Sequence, residues 1–355
     1  MRRPIPILVL VTALTAVLSA CGGSDPAGSA PAAPAPATVR LIAHDSFVVS
    51  EQLIADLKAQ TGITLEVITG GDAGTVVAGA ILAAGAPTAD VLFGVDNTLV
   101  SKAVDAGVFA PYSPAALETI VPALRDDSAG GLVTPIDYGD VCVNIDDTWF
   151  AERGITPPAT LDDLAEPEYR DLLVVQDPAT SSPGLAFMLA TIATYGDAWP
   201  DYWSRLRANG VKVAASWTDA YEGSFTRGSG DRPLVVSYAT SPPAEIVYAA
   251  DPKPDRPSTS VMTSGCYRQV EFAGVLAGTP NEGAAQQVID WLLSEPVQAD
   301  VPLSMFVFPA REGTPLPEVF TKFAARVDAP LQLDAGEVSA NLADWLQAWG
   351  EVMGR

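Results

Sequence analysis

The sequence predicts an α/β fold of two lobes, each with a mainly parallel sheet flanked by helices, and three observations predict it. Short apolar runs alternate with helix-like segments through both halves of the chain, a pattern typical of βαβ units. The folded part, from about Val39 to Arg355, suits two domains of ordinary size better than one. Polar loops follow predicted strand ends in both halves, where open α/β sheets bind ligands. We therefore expect a ligand cleft between the lobes.

The first residues of the chain have the features of an export signal. Arg2-Arg3 precedes an apolar run, Ile7 to Val17, which is shorter than the roughly 20 residues of a membrane span. The run ends in Leu18-Ser19-Ala20-Cys21-Gly22, which resembles a bacterial lipobox, with a plain secretory signal as the alternative. We expect a signal peptide over residues 1–20 and lipidation of Cys21. The protein would then be extracytoplasmic, held at the outer face of the cytoplasmic membrane by its lipid anchor alone.

Residues 21–38 are predicted to be a flexible tether. Gly22 to Thr38 contain only Gly, Ser, Ala, Pro, Thr and one Asp, so this stretch lacks the large apolar residues that a core requires.

Charge and composition exclude several classes of function. The formal net charge of −23 argues against nucleic acid as a partner and is compatible with a cationic ligand. The chain has one histidine, His44, so we expect no zinc site of the usual Cys/His kind and no metal. A Ser-His-Asp triad would have to use His44, and the chain has no Gly-x-Ser-x-Gly elbow.

The strand and helix patterns divide into two series with a change of rhythm near residue 137. We expect lobe 1 to comprise residues 39–137 plus about 268–312, and lobe 2 to comprise 138–267 plus about 313–355. The strands predicted in chain order are Val39–Ala43, Ile63–Thr69, Asp90–Gly94, Val141–Ile145, Leu172–Val175, Val211–Ala214, Leu234–Ser237 and Val270–Val275. The main predicted helices are a segment from Ser50 to about Gly62, Val76–Ala84, Thr98–Ala106, Asp147–Arg153, Thr160–Ala165, a helix after Pro183, Asp201–Ala208, Trp217–Thr226, Glu282–Leu293, Glu318–Arg326 and Glu337–Met353.

The loop Gln176 to Gly184 joins a predicted buried strand to a predicted helix. Ser182 fits the N-cap position and Pro183 the first helical position, where a missing N–H costs nothing. Such a helix N-terminus attracts anions such as phosphate or carboxylate, although an ordinary capped loop is the alternative. Comparable polar strand ends occur at His44-Asp45-Ser46, Gly71-Asp72-Ala73 and Ser237 to Ser241.

Lipidation of Cys21 would leave Cys142 and Cys266 as the remaining cysteines. In an exported protein such a pair suggests one disulfide, and two buried free thiols are the alternative.

Six stretches together resemble one family, the thiamine-binding proteins of bacterial thiamine ABC importers, which are class II periplasmic-type solute-binding proteins. These stretches are His44-Asp45-Ser46-Phe47, Gly94-Val95-Asp96-Asn97, Asp137-Tyr138-Gly139, Gln176 to Gly184, Ser216 to Tyr221 and Ser237 to Pro242. The resemblance implies a two-lobed clamp that holds thiamine or its phosphate esters at the hinge. It further implies a monomer that uses no cofactor and delivers its ligand to ABC permease subunits.

Carried over by position, the resemblance places ligand contacts on both lobes. The expected residues are Asp72, Ala73, Ser181, Ser182, Trp217, Tyr238, Ala239, Thr240 and Ser241. Trp217 and Tyr238 offer aromatic faces to a cation, and Asp72 can accept from the pyrimidine amine or balance the charge. Each of these three residues could instead have an ordinary structural role, as a core aromatic residue or as a helix cap. His44 and Phe306 stand where the family usually has tyrosine and tryptophan.

Two alternatives share the fold. One is a binding protein for another small cation, such as a polyamine or a pyrimidine precursor; iron-binding relatives use neighbouring tyrosines, and this chain has no such pair. The other is a thiamine-degrading enzyme, which would need Cys142 as its nucleophile. A disulfide with Cys266 would remove that candidate, so we expect a binding protein rather than an enzyme.

Overall fold

The computed structural model describes residues 37–125 and 129–355, so the predicted signal peptide, Cys21 and nearly all of the tether lie outside the described residues. The strands are β1 (Thr38–Ala43), β2 (Thr64–Thr69), β3 (Val91–Asp96), β4 (Thr134–Asp146), β5 (Leu173–Gln176), β6 (Lys212–Ala214), β7 (Leu234–Tyr238), β8 (Thr259–Val275) and β9 (Phe308–Pro309). The helices are α1 (Glu51–Thr61), α2 (Ala73–Leu82), α3 (Val100–Asp105), α4 (Asp147–Arg153), α5 (Ser182–Tyr195), α6 (Trp199–Ala208), α7 (Pro243–Val247), α8 (Glu282–Leu292), α9 (Glu295–Ser304), α10 (Glu318–Phe323) and α11 (Ala335–Met353).

The strands form a single mixed sheet in the order β2-β1-β3-β8-β4-β7-β5-β6, with β9 paired to β4. Strands β1, β2 and β3 are parallel at one side, and β5, β6 and β7 are parallel at the other. Between them the long strands β4 and β8 pair with each other in antiparallel fashion. The sheet therefore consists of two parallel halves joined by an antiparallel ribbon.

Two large clusters of buried hydrophobic residues lie along this sheet. The first includes Leu41 and Ile136 and takes in Phe272 and Ala310 from later in the chain. The second includes Val143, Phe187 and Trp203 and takes in Val338 and Trp349 from α11. Helix α5 is buried from Ser182 to Ile192, as expected for a helix that is apolar around most of its surface.

Strands β4 and β8 are much longer than the sequence predicts. The prediction was too short because polar residues and Pro135 interrupt the apolar patterns of these strands. β4 continues from Thr134 to Asp146 and β8 from Thr259 to Val275, so both strands run from one buried cluster to the other. Irregular register between Pro135 and Asp137 lets the proline remain within the ladder.

Three local predictions need correction. The helix predicted over Thr160–Ala165 is only a 3₁₀ turn at Asp163–Ala165. The segment expected to be a helix to Thr226 contains a π-helical turn, Asp219–Ser224, and then extends at Phe225. Thr38, assigned to the tether, already pairs with Thr64.

Cys142 of β4 and Cys266 of β8 form a disulfide, with Cα atoms 4.4 Å apart. It lies beside the register shift between Val141 and Val143, so it fastens the two long strands where their ladder is irregular. Both cysteines are buried. The bond leaves no thiolate at Cys142 for nucleophilic chemistry.

We expect loss of this bond to destabilise the protein. Cys142→Ala with Cys266→Ala, in a protein that begins after Cys21, should lower the free energy of unfolding by about 2–5 kcal/mol, because the unfolded chain gains freedom. Chemical denaturation measures this loss, and the parent protein treated with reductant is the matched control. Two reactive thiols in denatured, unreduced parent protein would contradict the bond.

Candidate functional site

A cavity of about 470 Å³ opens where polar loops follow the strand ends of both parallel halves. Its walls include residues after β1, at the start of α2, at the start of α5 and after β7. Parallel strands bring their carboxyl ends to one edge, which explains why loops distant in sequence meet there. This volume suits a small organic molecule.

Most of the residues singled out from the sequence line this cavity. They are His44, Asp72, Ala73, Ser182, Trp217, Tyr238, Ser241 and Phe306. Ser181, Ala239 and Thr240 are instead fully buried behind the wall. Sequence reasoning missed several lining residues, among them Tyr221, Tyr248, Arg227, Met305 and Glu271.

Asp72 serves as a helix cap and also binds across the cavity. One carboxylate oxygen accepts from the backbone N–H of Ala73 at 2.7 Å, at the start of α2. The other accepts from the backbone N–H of Trp217 at 2.8 Å. The carboxylate therefore ties the first parallel half of the sheet to the second.

Trp217 stacks on a residue that the sequence analysis did not select. Its ring lies against Tyr221, with centroids 4.9 Å apart and planes 14° apart. Its indole Nε1 donates to Ser237 Oγ at 2.9 Å, which fixes the ring orientation. The sequence analysis selected Trp217 and Tyr238 as aromatic faces for the ligand, but the ring that stacks on Trp217 is that of Tyr221. The four-residue spacing on a helix was the signal that could have found it.

Tyr238 and Phe306 form other parts of the wall. The Tyr238 hydroxyl accepts from Gln269 Nε2 at 3.0 Å, and its ring packs over Gly139, where a Cβ would lie only 2.8 Å away. Phe306 has a positive φ of 54°, and its ring lies 5.6 Å from that of Tyr248.

The start of α5 differs from its predicted form. Ser181, not Ser182, is the N-cap residue, and its hydroxyl has no partner among the described residues. Ser182 instead donates its hydroxyl to the buried carboxylate of Asp96. Burial raises the pKa of Asp96 above its usual value, despite hydrogen bonds from Ser182 and Thr98. The acidic group bound at the start of α5 in this structure is therefore the side chain of Asp96, which belongs to the protein itself.

A buried group of three titratable residues lies at the base of the cavity. His44 Nε2 is 3.2 Å from Glu271 Oε1, an ion pair that lacks the alignment of a hydrogen bond. Glu271 of β8 is also the register partner of Asp137 in β4. Neither carboxylate oxygen of Asp137 has a hydrogen-bond partner among residues 37–125 and 129–355.

The three residues shift one another's ionisation. Burial lowers the pKa of His44, but Glu271, with help from Asp72 and Asp45, outweighs burial and raises it. Burial raises the pKa of Glu271, but attraction to His44 outweighs this and lowers it below its usual value. Burial and repulsion from Glu271 raise the pKa of Asp137 well above its usual range. Together these shifts favour the charged form of His44, the ionised form of Glu271 and the protonated form of Asp137.

The described part of the chain contains neither a metal-binding cluster nor a membrane-spanning helix. No group of three or more His, Cys, Asp or Glu side chains is placed to hold a metal ion. No helix there is both long enough and apolar enough to cross a membrane.

Comparison with known proteins connects this site to a family. Residues 86–328 match the model for bacterial extracellular solute-binding proteins. The chain belongs to this family. It is 32% identical over 267 residues to the thiamine-binding periplasmic protein of Escherichia coli (strain K12). The aligned region covers 75% of this chain and 77% of that protein. The corresponding protein of Brucella suis biovar 1 is 29% identical over 329 residues, 91% of this chain and 94% of that one.

A solved structure titled as a periplasmic thiamin binding protein has the same fold. It superposes with a TM-score of 0.77 at 27% identity, covering 90% of this chain and 96% of that chain. The fold and the family expected from the sequence are confirmed. The chain is an extracytoplasmic solute-binding protein of a transport family rather than an enzyme.

Ser181 and Ser182 differ in their partners, and this predicts different effects on stability. Ser182→Ala should lower the free energy of unfolding by about 1–3 kcal/mol, because Asp96 loses a buried hydrogen-bond donor. Ser181→Ala is the matched control and should change stability by less than about 0.5 kcal/mol, because its hydroxyl has no partner to lose. Urea denaturation compares the two. Equal losses would show that the bond to Asp96 is not the cause.

Proposed function

We propose that this protein captures thiamine, or one of its phosphate esters, outside the cytoplasm and delivers it to an ABC importer. The observation that carries the proposal is the cavity, which combines aromatic faces with a buried carboxylate. Thiamine is a flat molecule with a permanently cationic thiazolium ring. Aromatic rings attract such a cation by about 0.5 kcal/mol when exposed and about 2 kcal/mol when desolvated. The names of the relatives from Escherichia coli and Brucella suis favour the same ligand.

Each side of the cavity has a role in this proposal. The stacked pair Trp217 and Tyr221 receives one face of the ligand, and Tyr238, Phe306 and His44 close other sides. Asp72 acts mainly by holding Trp217 in place, since both of its oxygens already accept hydrogen bonds. Ser181, Ala239 and Thr240 support the wall from behind instead of touching the ligand.

The two buried clusters correspond to two lobes in this proposal. We take residues 39–137 and about 268–312 as lobe 1, and 138–267 with about 313–355 as lobe 2; this division follows the membership of the clusters. The lobes close over the ligand through contacts such as Asp72 with Trp217. Lipidation at Cys21 and a tether through residue 38 would hold a monomer at the outer face of the membrane, near the permease.

Isothermal titration of the purified protein tests the ligand class. Thiamine, its mono- and diphosphate and a polyamine serve as the panel. Tight binding of a thiamine compound with no polyamine binding supports the proposal. Binding of the polyamine alone would contradict the proposal and favour the alternative, a binding protein for another small cation.

We expect Trp217→Ala to weaken thiamine binding by about 1–3 kcal/mol, because a stacking face is lost. Trp217→Phe should retain most of the affinity, since it keeps a ring and loses only the donor to Ser237. Calorimetry measures affinity, and a thermal melt of the same samples measures stability. An unchanged affinity with a large drop in melting temperature would make Trp217 a core residue.

Gly74→Ala should oppose closure of the lobes. A Cβ on Gly74 would lie 2.7 Å from the backbone oxygen of Thr180, across the cavity, whereas a Cβ on Gly79 would meet nothing within 4 Å. Both glycines lie in α2, so both substitutions favour that helix alike. Gly74→Ala should weaken thiamine binding by about 1–3 kcal/mol through this overlap, and Gly79→Ala should leave it unchanged. Equal affinities for the two variants, measured by calorimetry, would refute the closure contact.

A further inference from the structure

His44 and Glu271 form a buried ion pair whose two members both line the cavity. Their side chains are only 9% and 6% exposed, and Nε2 lies 3.2 Å from Oε1. The imidazole ring is packed tightly against Gly94, where a Cβ would lie 2.5 Å from His44 Cδ2. The histidine is thus held beside the carboxylate, and both can be reached by a molecule in the cavity.

The titratable groups around this pair are mostly acidic side chains. Asp45 lies in the same loop as His44, Asp72 faces it from the start of α2, and Asp137 lies behind Glu271 on β4. Asp96 of β3 is the register partner of Glu271. One other cation, Arg227, lines the cavity, and it lies 3.8 Å from Glu245. The protonated His44 is therefore the counter-ion next to Glu271 when no ligand is bound.

A permanent cation in the cavity would compete with His44 for this carboxylate. Two positive charges beside one buried carboxylate repel each other strongly, because the surroundings screen them poorly. A quaternary thiazolium nitrogen has no proton to lose, whereas an imidazolium does. The histidine is therefore the partner that can give up its charge.

We propose that Glu271 is the carboxylate that receives the positive charge of the ligand, and that thiamine binding displaces a proton from His44 to solvent. This inference rests on the proposed function. No covalent bond changes except the N–H bond of the imidazolium, whose proton passes to buffer. The ligand's cation replaces the imidazolium as counter-ion, so the site keeps its charge balance.

The exchange has two consequences for selectivity. A ligand with a fixed positive charge is favoured over a neutral ring of the same shape, because only the cation can replace His44 at Glu271. Affinity also depends on pH with a definite sign. Below the pKa of His44 in the free protein, affinity should rise about tenfold for each unit of pH, because one proton is released per ligand. Above that pKa it should become constant.

Calorimetry of thiamine binding in two buffers of different ionisation enthalpy measures the released proton directly. At a pH below the pKa of His44 in the free protein, the wild-type protein should release close to one proton per thiamine bound, and His44→Asn close to none. Glu271→Gln should weaken thiamine binding by about 10- to 100-fold, the effect of losing a charged partner. Thiamine binding by the wild type with no buffer-dependent enthalpy would overturn the proposal.

Nuclear magnetic resonance of the wild type gives a second measurement that needs no variant. The chain contains one histidine, so in protein prepared without a polyhistidine tag the imidazole signal is unambiguous. At a pH below the pKa of His44 in the free protein, the ring should be protonated without ligand and neutral when thiamine is bound. A ring that remains protonated in the complex would also overturn the proposal. If the wild type does not bind thiamine at all, the proposed function fails; binding without proton release refutes only this inference.

Discussion

The antiparallel pairing of β4 with β8 is the interaction on which the rest of the structure depends. These two strands are the connection through which the sheet passes from one buried cluster to the other. Their ladder is held by the Cys142–Cys266 disulfide at one point and carries Asp137 and Glu271 as register partners at another. The same ribbon thus joins the two parallel halves and supplies the charged floor of the cavity.

Burying charge at this position has a defined physical cost that the neighbouring groups offset. An isolated carboxylate is expensive to remove from water, and the neighbouring His44 lowers the pKa of Glu271 in spite of its burial. A second ionised carboxylate at Asp137 would repel Glu271, and burial and this repulsion raise the pKa of Asp137 well above its usual range. Asp96 is stabilised differently, by donors from Ser182 and Thr98. The base of the cavity is therefore prepared electrostatically by His44 and the acidic groups around it.

Two of the contacts across the cavity involve the main chain of the opposite half. Asp72 accepts from the backbone of Trp217, and α2 approaches the backbone of Thr180 closely at Gly74. In each case a small or polar residue at the start of a helix meets main chain from the other half. Contacts of this kind fix the geometry of the cavity walls through single hydrogen bonds and close backbone approaches.

The resemblance of the sequence to a known family supplied eight of the cavity residues. The sequence by itself determined the α/β class and the order of most elements, because local periodicity, caps and strand ends depend on neighbouring residues. Asp147–Arg153 was predicted to the residue for this reason. Only the tertiary structure decided that β4 continues through Pro135 and Gly139, since the pairing with β8 overrides their poor strand propensity. It also decided that Tyr221 rather than Tyr238 stacks on Trp217, that Ser182 is engaged by Asp96, and that Glu271 faces His44. Each of these depends on side chains that are far apart in the chain, and their proximity exists only once the sheet has formed.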